Sequence, residues 1–244
     1  MKHQKYLQER NCKIVGSVAE AGKSIDAKHL SAGTVNIKAS TYDLSLRNKD
    51  LLEQYADVYH ISSNIHDYIF IPVPIFITNI PNRNGITFID EEVDTFYDDI
   101  GQYMFQTWIG KPCFVEHDDS DETQSKGIIF DAVIRPLPQF NLRQCWVLWG
   151  LDRTKDVDFT KEVLDAKHNY FSMGARANYF TCSFCGHKFT SKPHCPCLNG
   201  FPYMHEANGE IACANARQII GTEVSRVADP AWVSAEADNM LEVE

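Results

Sequence analysis

Residues 127–151 read GIIFDAVIRPLPQFNLRQCWVLWGL and contain two apolar segments on either side of a polar, proline-bearing turn. The segments GIIFDAVI (127–134) and QCWVLWGL (144–151) are rich in β-branched and aromatic residues, which favour strands. The segment CFVEH (113–117) has the same character. Several strands with few helical patterns between them predict an α+β, mainly β fold, a β-barrel or curved sheet with peripheral helices.

Two further elements are predicted upstream of these strands. The run YIFIPVPIFIT (68–78) is typical of a strand, and Pro72 and Pro74 place it at a sheet edge because proline cannot donate a backbone hydrogen bond. Apolar residues then recur at helical spacing and predict a helix from about Asp90, the expected N-cap. These residues are Val93, Phe96, Tyr97, Ile100, Tyr103 and Met104.

Composition and charge exclude some classes of function. The net charge of −10 disfavours nucleic acid as a partner, because phosphate binding needs clustered Lys and Arg. No apolar run approaches the roughly 20 residues of a membrane helix, and the polar start MKHQKYLQERN lacks a signal core. We therefore expect a soluble, intracellular protein without a membrane partner.

The two ends of the chain differ from its middle. Residues 1–60 have weak periodicity and predict no particular fold. Their first 50 residues carry an excess of Lys and Arg over an acidic remainder, which indicates a solvated face or a docking or removable segment. We expect the main domain to span residues 61–232 and to be followed by an acidic tail at 233–244.

A short helix near residues 158–167 leads into NYFSMGARANYF (169–180), where alternation separates an apolar face from a small or polar face. Ser172 and Gly174 share the polar face with Arg176. A serine on a rigid strand, with a glycine two residues later, leaves room for an extended substrate backbone. The alternative is a half-exposed strand whose serine only contacts water.

A serine hydroxyl needs a neighbouring base before it can act as a nucleophile. Among nine histidines, His117 follows an apolar strand where the chain enters an acidic loop, a place where enzymes present functional groups. The alternative is a surface histidine. A third, acidic group normally orients the base, and the residues alone do not select one. The candidates are Glu116, Asp118, Asp131, Asp152 and Glu223.

Four of the eight cysteines lie in TCSFCGHKFTSKPHCPCLNG (181–200). A C-x-x-C pair, Cys182 and Cys185, precedes a C-x-C pair, Cys195 and Cys197. Two close thiolate pairs joined by a short loop predict one tetrahedral zinc ion, and four protein ligands make the metal structural and not catalytic. A redox-active pair is the alternative. Other candidate ligands are His187, His194 and His205.

The chain resembles the prohead serine proteases of tailed phages, which are similar in fold to the herpesvirus assemblins. Five segments in this order carry the resemblance: NRNG (82–85), GKPCFVEHD (110–118), GIIFDA (127–132), FSMGA (171–175) and TEVSRVADPA (222–231). The resemblance implies a herpesvirus-protease-like β-barrel. It also implies Ser172 as the nucleophile, His117 as its base and Glu223 as the acid of the triad.

The resemblance carries further implications. Family members cleave scaffold or core proteins and capsid proteins inside the assembling prohead, in the host cytoplasm, often after glutamate. Arg176 is therefore a candidate for a cationic subsite, with solvent exposure as the alternative. Some members carry an insertion after the serine strand that ends in C-x-H. Here Cys197 replaces that histidine, so we expect a four-cysteine site within an insertion at 181–205.

Two other functions remain open at this point. One is a non-enzymatic zinc-containing virion protein that acts in assembly or interaction, and the other is a zinc metallohydrolase. The sequence contains no H-E-x-x-H motif, which disfavours the metallohydrolase. Assembly into a homo-oligomer is compatible with either enzymatic or structural roles.

Overall fold

The computed structural model describes residues 41–166, 169–191, 196–198, 204–207, 210–232 and 241–242. The described helices are α1 (Thr41–Tyr59), α2 (Asp90–Val93) and α3 (Val157–Asp165). The described strands are β1 (Tyr68–Ile77), β2 (Ile86–Thr87), β3 (Phe96–Tyr97), β4 (Gln102–Tyr103), β5 (Cys113–Val115), β6 (Gly127–Leu137), β7 (Leu142–Asp152), β8 (Tyr170–Cys182), β9 (Lys188–Phe189), β10 (Met204–Ala207), β11 (Glu210–Val227) and β12 (Leu241–Glu242). Short 3₁₀ helices are Ile65–Asp67, Met104–Trp108, Glu122–Gln124 and Pro138–Phe140.

Two sheets form the body of the protein. The first has the antiparallel order β12-β1-β7-β6. In the second, β10, β11, β8 and β9 follow one another, and the short strands β2 and β5 pair in parallel with β11. The fold is α+β and mainly β, with a curled, half-barrel sheet and few helices, which confirms the predicted class at this level.

The main hydrophobic core contains side chains from both sheets. Trp149 of β7 packs edge-on against Phe171 of β8, with 5.1 Å between ring centroids. Trp108, fully buried, contacts Phe76 of β1 and donates its indole N–H to the carbonyl of Gly174 at 3.2 Å. The core therefore holds β8, the strand that carries Ser172, in place.

Helix α1 lies within the segment for which the sequence predicts no fold. Its apolar face, which includes Leu52 and Ala56, packs against Tyr68 of β1 and Phe130 of β6. The Tyr59 hydroxyl donates to the carbonyl of Gly110 at 2.9 Å. This helix is thus packed onto the strands by a hydrophobic cluster of its own.

All five predicted strands are present, as β1, β5, β6, β7 and β8, and β1 has the expected edge character. At Pro72 and Pro74 its partner among the described strands is β7 alone, because β12 pairs only with Ile69 and Phe70. The helix expected near residues 158–167 is α3. Among the described residues, no helix is both long and apolar enough to cross a membrane.

The helix predicted from Asp90 is wrong beyond its first turn. α2 ends at Val93, and its N-cap is Ile89, while Asp90 binds Arg143 instead. The chain then forms the β3-β4 hairpin, with Gly101 in the left-handed conformation at φ +66°. The apolar residues have helical spacing, yet the DDIG turn at 98–101 interrupts the helix and lets β3 and β4 pair across it.

Candidate active site and metal site

Strand β11 lies between β8, which carries the predicted nucleophile, and β5, which ends two residues before the predicted base. β8 pairs with it in antiparallel fashion and places Ser172 opposite Ser225 and Gly174 opposite Glu223. β5 pairs with it in parallel over the same stretch, hence on the opposite edge, and leads into His117. Residues 117, 172 and 223, far apart in sequence, therefore come from neighbouring strands.

A β-bulge decides the face of the sheet on which Glu223 lies. The pairing register with β8 shifts at Thr222, which is an extra residue on β11. Ile219 and Val224 flank the bulge and both pack into the main core, although they are five residues apart. Residues an odd number apart on a regular strand lie on opposite faces. The extra residue therefore turns Glu223 to the face of Ser172.

Gly174 leaves the space that the Glu223 carboxylate occupies. A Cβ atom at Gly174 would lie 2.3 Å from Glu223 Oε1 and 2.6 Å from Thr222 Oγ1, closer than packed atoms can approach. From the sequence pattern we expect this space to hold a substrate backbone. In the structure, the glycine two residues after Ser172 makes room for the acid.

The Glu223 carboxylate joins two polar side chains. Its Oε1 lies 2.8 Å from His117 Nδ1, and its Oε2 accepts a hydrogen bond of 2.5 Å from the Ser225 hydroxyl. The side chain of Glu223 is 4% exposed, whereas that of His117 is 44% exposed. A buried carboxylate thus binds one ring nitrogen of a histidine whose other parts remain open to solvent.

His117 lies in a tight turn after β5. Both Glu116 and His117 adopt left-handed backbone angles, with φ of 52° and 59°. Glu116 is held on both sides, since its N–H donates to the carbonyl of Arg226 and its carboxylate accepts from the N–H of Ala228. Residues other than glycine adopt such angles at a cost, so these contacts to β11 hold the histidine in place.

The hydrogen bond from His117 to Glu223 raises the pKa of the imidazole above its ordinary value. Partial burial opposes this shift, and the negative charges of Glu223, Glu116 and Asp119 add to it. The ring is neutral, and able to accept a proton, only above this raised pKa. With Nδ1 facing the carboxylate, Nε2 is the nitrogen available to a substrate or nucleophile.

Ser172 and His117 line the same cavity, whose volume is about 480 Å³. Ser172 is 5% exposed. Among the described residues no hydrogen bond joins its hydroxyl to His117, so the two residues share a cavity without the direct contact that the sequence predicts. Ser172 and His117 thus line one cavity, and catalytic hydrogen bonds are often long or poorly aligned before substrate binds.

Two of the quoted sequence segments form the rim of this cavity. Arg83 of the NRNG turn forms an ion pair with Asp229 of the ADPA segment, and its N–H donates to the carbonyl of Ala231 at 3.1 Å. Asn82 stabilises the turn by accepting from the N–H of Asn84 at 2.9 Å. Apolar residues cover the rest of the wall: Ile86, Phe88, Met173, Ala177, Phe180, Ala216, Ile219 and Trp232.

The other candidate residues lie elsewhere or make different contacts. Asp131 accepts from the N–H of Ala132 on β6, and Asp152 accepts from the N–H of Ser62. Arg176 is exposed and is not among the residues that line the cavity. Of the five acidic candidates, Glu223 is the one that contacts His117 by a hydrogen bond in the described structure.

Three cysteines form a compact cluster at the far end of β8. The Sγ atoms of Cys182, Cys185 and Cys197 all lie within 4.8 Å of one another. Zn–S bonds of about 2.3 Å place tetrahedral sulfur ligands about 3.8 Å apart, so the three thiols fit a metal ion of this kind. Desolvation and the neighbouring Cys185 and Cys182 thiols raise the pKa of Cys197 to about 12. A cation among them would remove that penalty on the thiolate form.

The local backbone explains why the thiols of Cys182 and Cys185 meet. The N–H of Cys182 donates to the carbonyl of His187, and the N–H of Gly186 donates back to the carbonyl of Cys182, each at 2.9 Å. Gly186 takes the left-handed conformation at φ +72° that such a turn requires. β9 then returns along β8, with Phe189 opposite Phe180.

The remaining predicted ligands are only partly described. Cys195 and His194 lie outside the described residues, as does the side chain of His205 in β10. His187 is exposed and does not belong to the thiol cluster among the described residues. The structure thus brings together three of the four predicted cysteines and leaves the fourth ligand open.

The sequence interpretation missed Ser225 and the bulge at Thr222. Alternation in the sequence does not reveal the bulge, because apolar residues of β11 occupy odd and even positions on both sides of it, Ile219 and Ile220 before it and Val224 and Val227 after it. Ser225, two residues after Glu223, falls on the same face as the acid.

Comparison of the chain with protein families, with curated proteins and with solved structures gave no match. The function must therefore be argued from the site itself.

Proposed function

We propose that this protein is a serine endopeptidase in which Ser172 is the nucleophile, His117 the general base and Glu223 the acid. The observation that carries the proposal is the 2.8 Å contact between Glu223 and His117 Nδ1 at the wall of the cavity that Ser172 also lines. A buried acid that fixes one nitrogen of a half-exposed histidine is the arrangement a serine nucleophile needs.

Each residue has a distinct step in this mechanism. His117 Nε2 accepts the Ser172 hydroxyl proton as the oxygen attacks a peptide carbonyl, and the imidazolium then protonates the leaving amine. Glu223 holds the ring by Nδ1–H and stabilises its positive charge. Closure of the Ser172–His117 distance on substrate binding completes the proton path. A water molecule then attacks the acyl-enzyme carbonyl as His117 Nε2 takes its proton, the ester bond to the Ser172 oxygen breaks, and the imidazolium returns the proton to Ser172.

Prohead maturation is the proposed setting. Support comes from the segments that carry the resemblance, because NRNG and ADPA are joined at the cavity rim by the Arg83–Asp229 ion pair. FSMGA and CFVEHD contribute Ser172 and His117 to the same cavity. We propose scaffold or core and capsid proteins as substrates inside the assembling prohead, and a herpesvirus-protease-like barrel as the finer description of the fold.

For the thiol cluster we propose a structural zinc ion held by Cys182, Cys185, Cys197 and Cys195. Four thiolates would close the coordination sphere, so the metal would stabilise the turn between β8 and β9 without taking part in hydrolysis. Cys182 is the last residue of the strand that also carries Ser172. The metal would therefore support the nucleophile's strand from its far end.

The test of the function is to co-express this protein with the scaffold and capsid proteins of neighbouring genes. Mass spectrometry then identifies the new termini that cleavage creates in them. Cleavage that is lost in Ser172→Ala and kept in Ser120→Ala, an exposed serine in the loop after His117, supports the peptidase. Cleavage that persists in Ser172→Ala rejects it. Binding to the scaffold or capsid proteins without any cleavage favours the non-enzymatic assembly protein.

A further inference from the structure

Ser225 is a fully buried serine that belongs to none of the predicted groups. Its exposure is 0%, and it lies on β11 directly opposite Ser172. Its hydroxyl donates to Glu223 Oε2 at 2.5 Å, while the other oxygen of the same carboxylate contacts His117. Ser225, Glu223 and His117 thus form a hydrogen-bonded line of three side chains from a buried hydroxyl to the cavity.

We propose that Ser225 is a positioning residue that holds the Glu223 carboxylate in the orientation needed to orient His117. The inference rests on the proposed function for its catalytic consequence, but the contact itself does not depend on it. Ser225 is not among the residues that line the cavity, and its hydroxyl donates to Glu223, so we assign its effect on His117 to Glu223.

A carboxylate at the end of a glutamate side chain can rotate. The terminal torsion of a glutamate side chain is broad, so one hydrogen bond does not fix the plane of the carboxylate. Glu223 is buried, and water has little access to supply a second donor. The Ser225 hydroxyl supplies it from the same strand, two residues away. With both oxygens bound, Oε1 is directed at His117 Nδ1.

The bulge at Thr222 gives an independent reason for this arrangement. It brings Glu223 and Ser225 together onto the face of Ser172, whereas a regular strand in the upstream register would direct both toward the core. A buried hydroxyl needs an acceptor, and a purely structural serine could use a backbone carbonyl. Here the Ser225 hydroxyl donates to Glu223, the acid of the site.

The test compares Ser225→Ala and the nearly isosteric Ser225→Cys with the wild type. Thr78→Val is the matched control, since Thr78 is also fully buried, and its hydroxyl accepts from the N–H of Arg143 and hydrogen-bonds the Asp90 carboxylate, neither of which belongs to the proposed triad. The first readout is the pKa of His117 from an NMR titration, with the resonance assigned by His117→Ala. The second is the rate at which a fluorophosphonate probe modifies Ser172.

Loss of the Ser225 hydroxyl should lower the His117 pKa toward its ordinary value, because the contact with Glu223 weakens. The charges that face the ring are Glu223 from β11 and Glu116 and Asp119 from its own loop, and only the first changes its contact. Modification of Ser172 should slow by about 10- to 100-fold, the effect of losing a hydrogen bond to a charged group. Ser225→Cys should fall between.

An unchanged His117 pKa in a folded Ser225→Ala protein would overturn the inference, whatever the probe does. The same holds if Thr78→Val lowers the pKa equally, since the effect would then be general loss of stability. Failure of the proposed function has a different signature: the probe leaves wild-type Ser172 unmodified, while the pKa still falls in Ser225→Ala. In that case Ser225 positions Glu223 in a protein that is not a peptidase.

Discussion

The two candidate sites share strand β8 but are built in opposite ways. The thiol cluster uses residues 182, 185 and 197, which lie within one short stretch joined by a tight turn. The Glu223–His117 pair joins residues 106 positions apart, through two strand pairings and a bulge. The first site depends on local spacing and the second on sheet register. The same kind of substitution should therefore affect the two sites differently.

The largest effect is expected from removing the proposed nucleophile, Ser172, or the proposed base, His117. Ser172→Ala and His117→Ala should each lower the rate of peptide cleavage by at least about 10³-fold, because the two residues act as one unit. The double variant should be hardly slower than either single one. Cleavage of the scaffold protein, measured with thermal unfolding as the control for folding, checks this. Additive losses would show that the residues act separately.

Glu223→Gln tests the register-dependent contact itself. The amide keeps the volume of the side chain but removes the charge that stabilises the imidazolium, so turnover should fall by about 10²- to 10⁴-fold. The pKa of His117 should also fall, because its raised value depends first on the hydrogen bond to Glu223. Since the base must be neutral, the acid limb of the pH–rate profile should move to lower pH. A limb that stays in place, or moves up, would contradict the assignment.

Two glycines allow the same methyl group to be placed in each site. In Gly174→Ala the new Cβ meets Glu223 Oε1 at 2.3 Å and should displace the carboxylate, which lowers activity by about tenfold or more. In Gly186→Ala the methyl has open space, and the cost is only the left-handed backbone, about 1 kcal/mol. Gly186→Ala should therefore keep activity. Equal losses of activity would refute the contrast.

The sequence predicts the thiol cluster more fully than the Glu223–His117 contact, and the reason is physical. The C-x-x-C and C-x-C spacings predict the thiol cluster because the chain between them is short. The position of His117 at a strand end is also predictable from the sequence. The face on which Glu223 lies is not, because it depends on the extra residue at Thr222, and alternation alone assigns the next strand residues to the wrong side.

The same contrast holds for the fold: elements with a clear local pattern are predicted correctly, and elements that depend on distant segments are not. The strands β6 and β7 are evident from continuous apolar runs, whereas residues 90–104 have helical spacing but fold around the DDIG turn into a hairpin. The apolar residues of helix α1 have weak periodicity, and the helix is stabilised by packing on β1 and β6 that the sequence does not display. Local patterns thus fail where pairing or packing with distant segments decides the structure.

The smallest effect on activity is expected from the thiol cluster. The purified protein should contain one zinc ion per chain, and Cys182→Ser should lose it. Hydrogen exchange should then rise first around residues 180–191 and only later near Ser172, with activity reduced by less than about tenfold. Elemental analysis and exchange measurements check this. A metal-free protein, or exchange that rises first near Ser172, would contradict it.

The most direct test of the central claim is to treat the wild-type protein with a fluorophosphonate probe and to locate the adduct by peptide mass spectrometry. The account predicts a single adduct on Ser172 that is absent in His117→Ala and strongly reduced in Glu223→Gln, while all three proteins remain folded. An unmodified wild-type Ser172, or equal modification in His117→Ala, would contradict it.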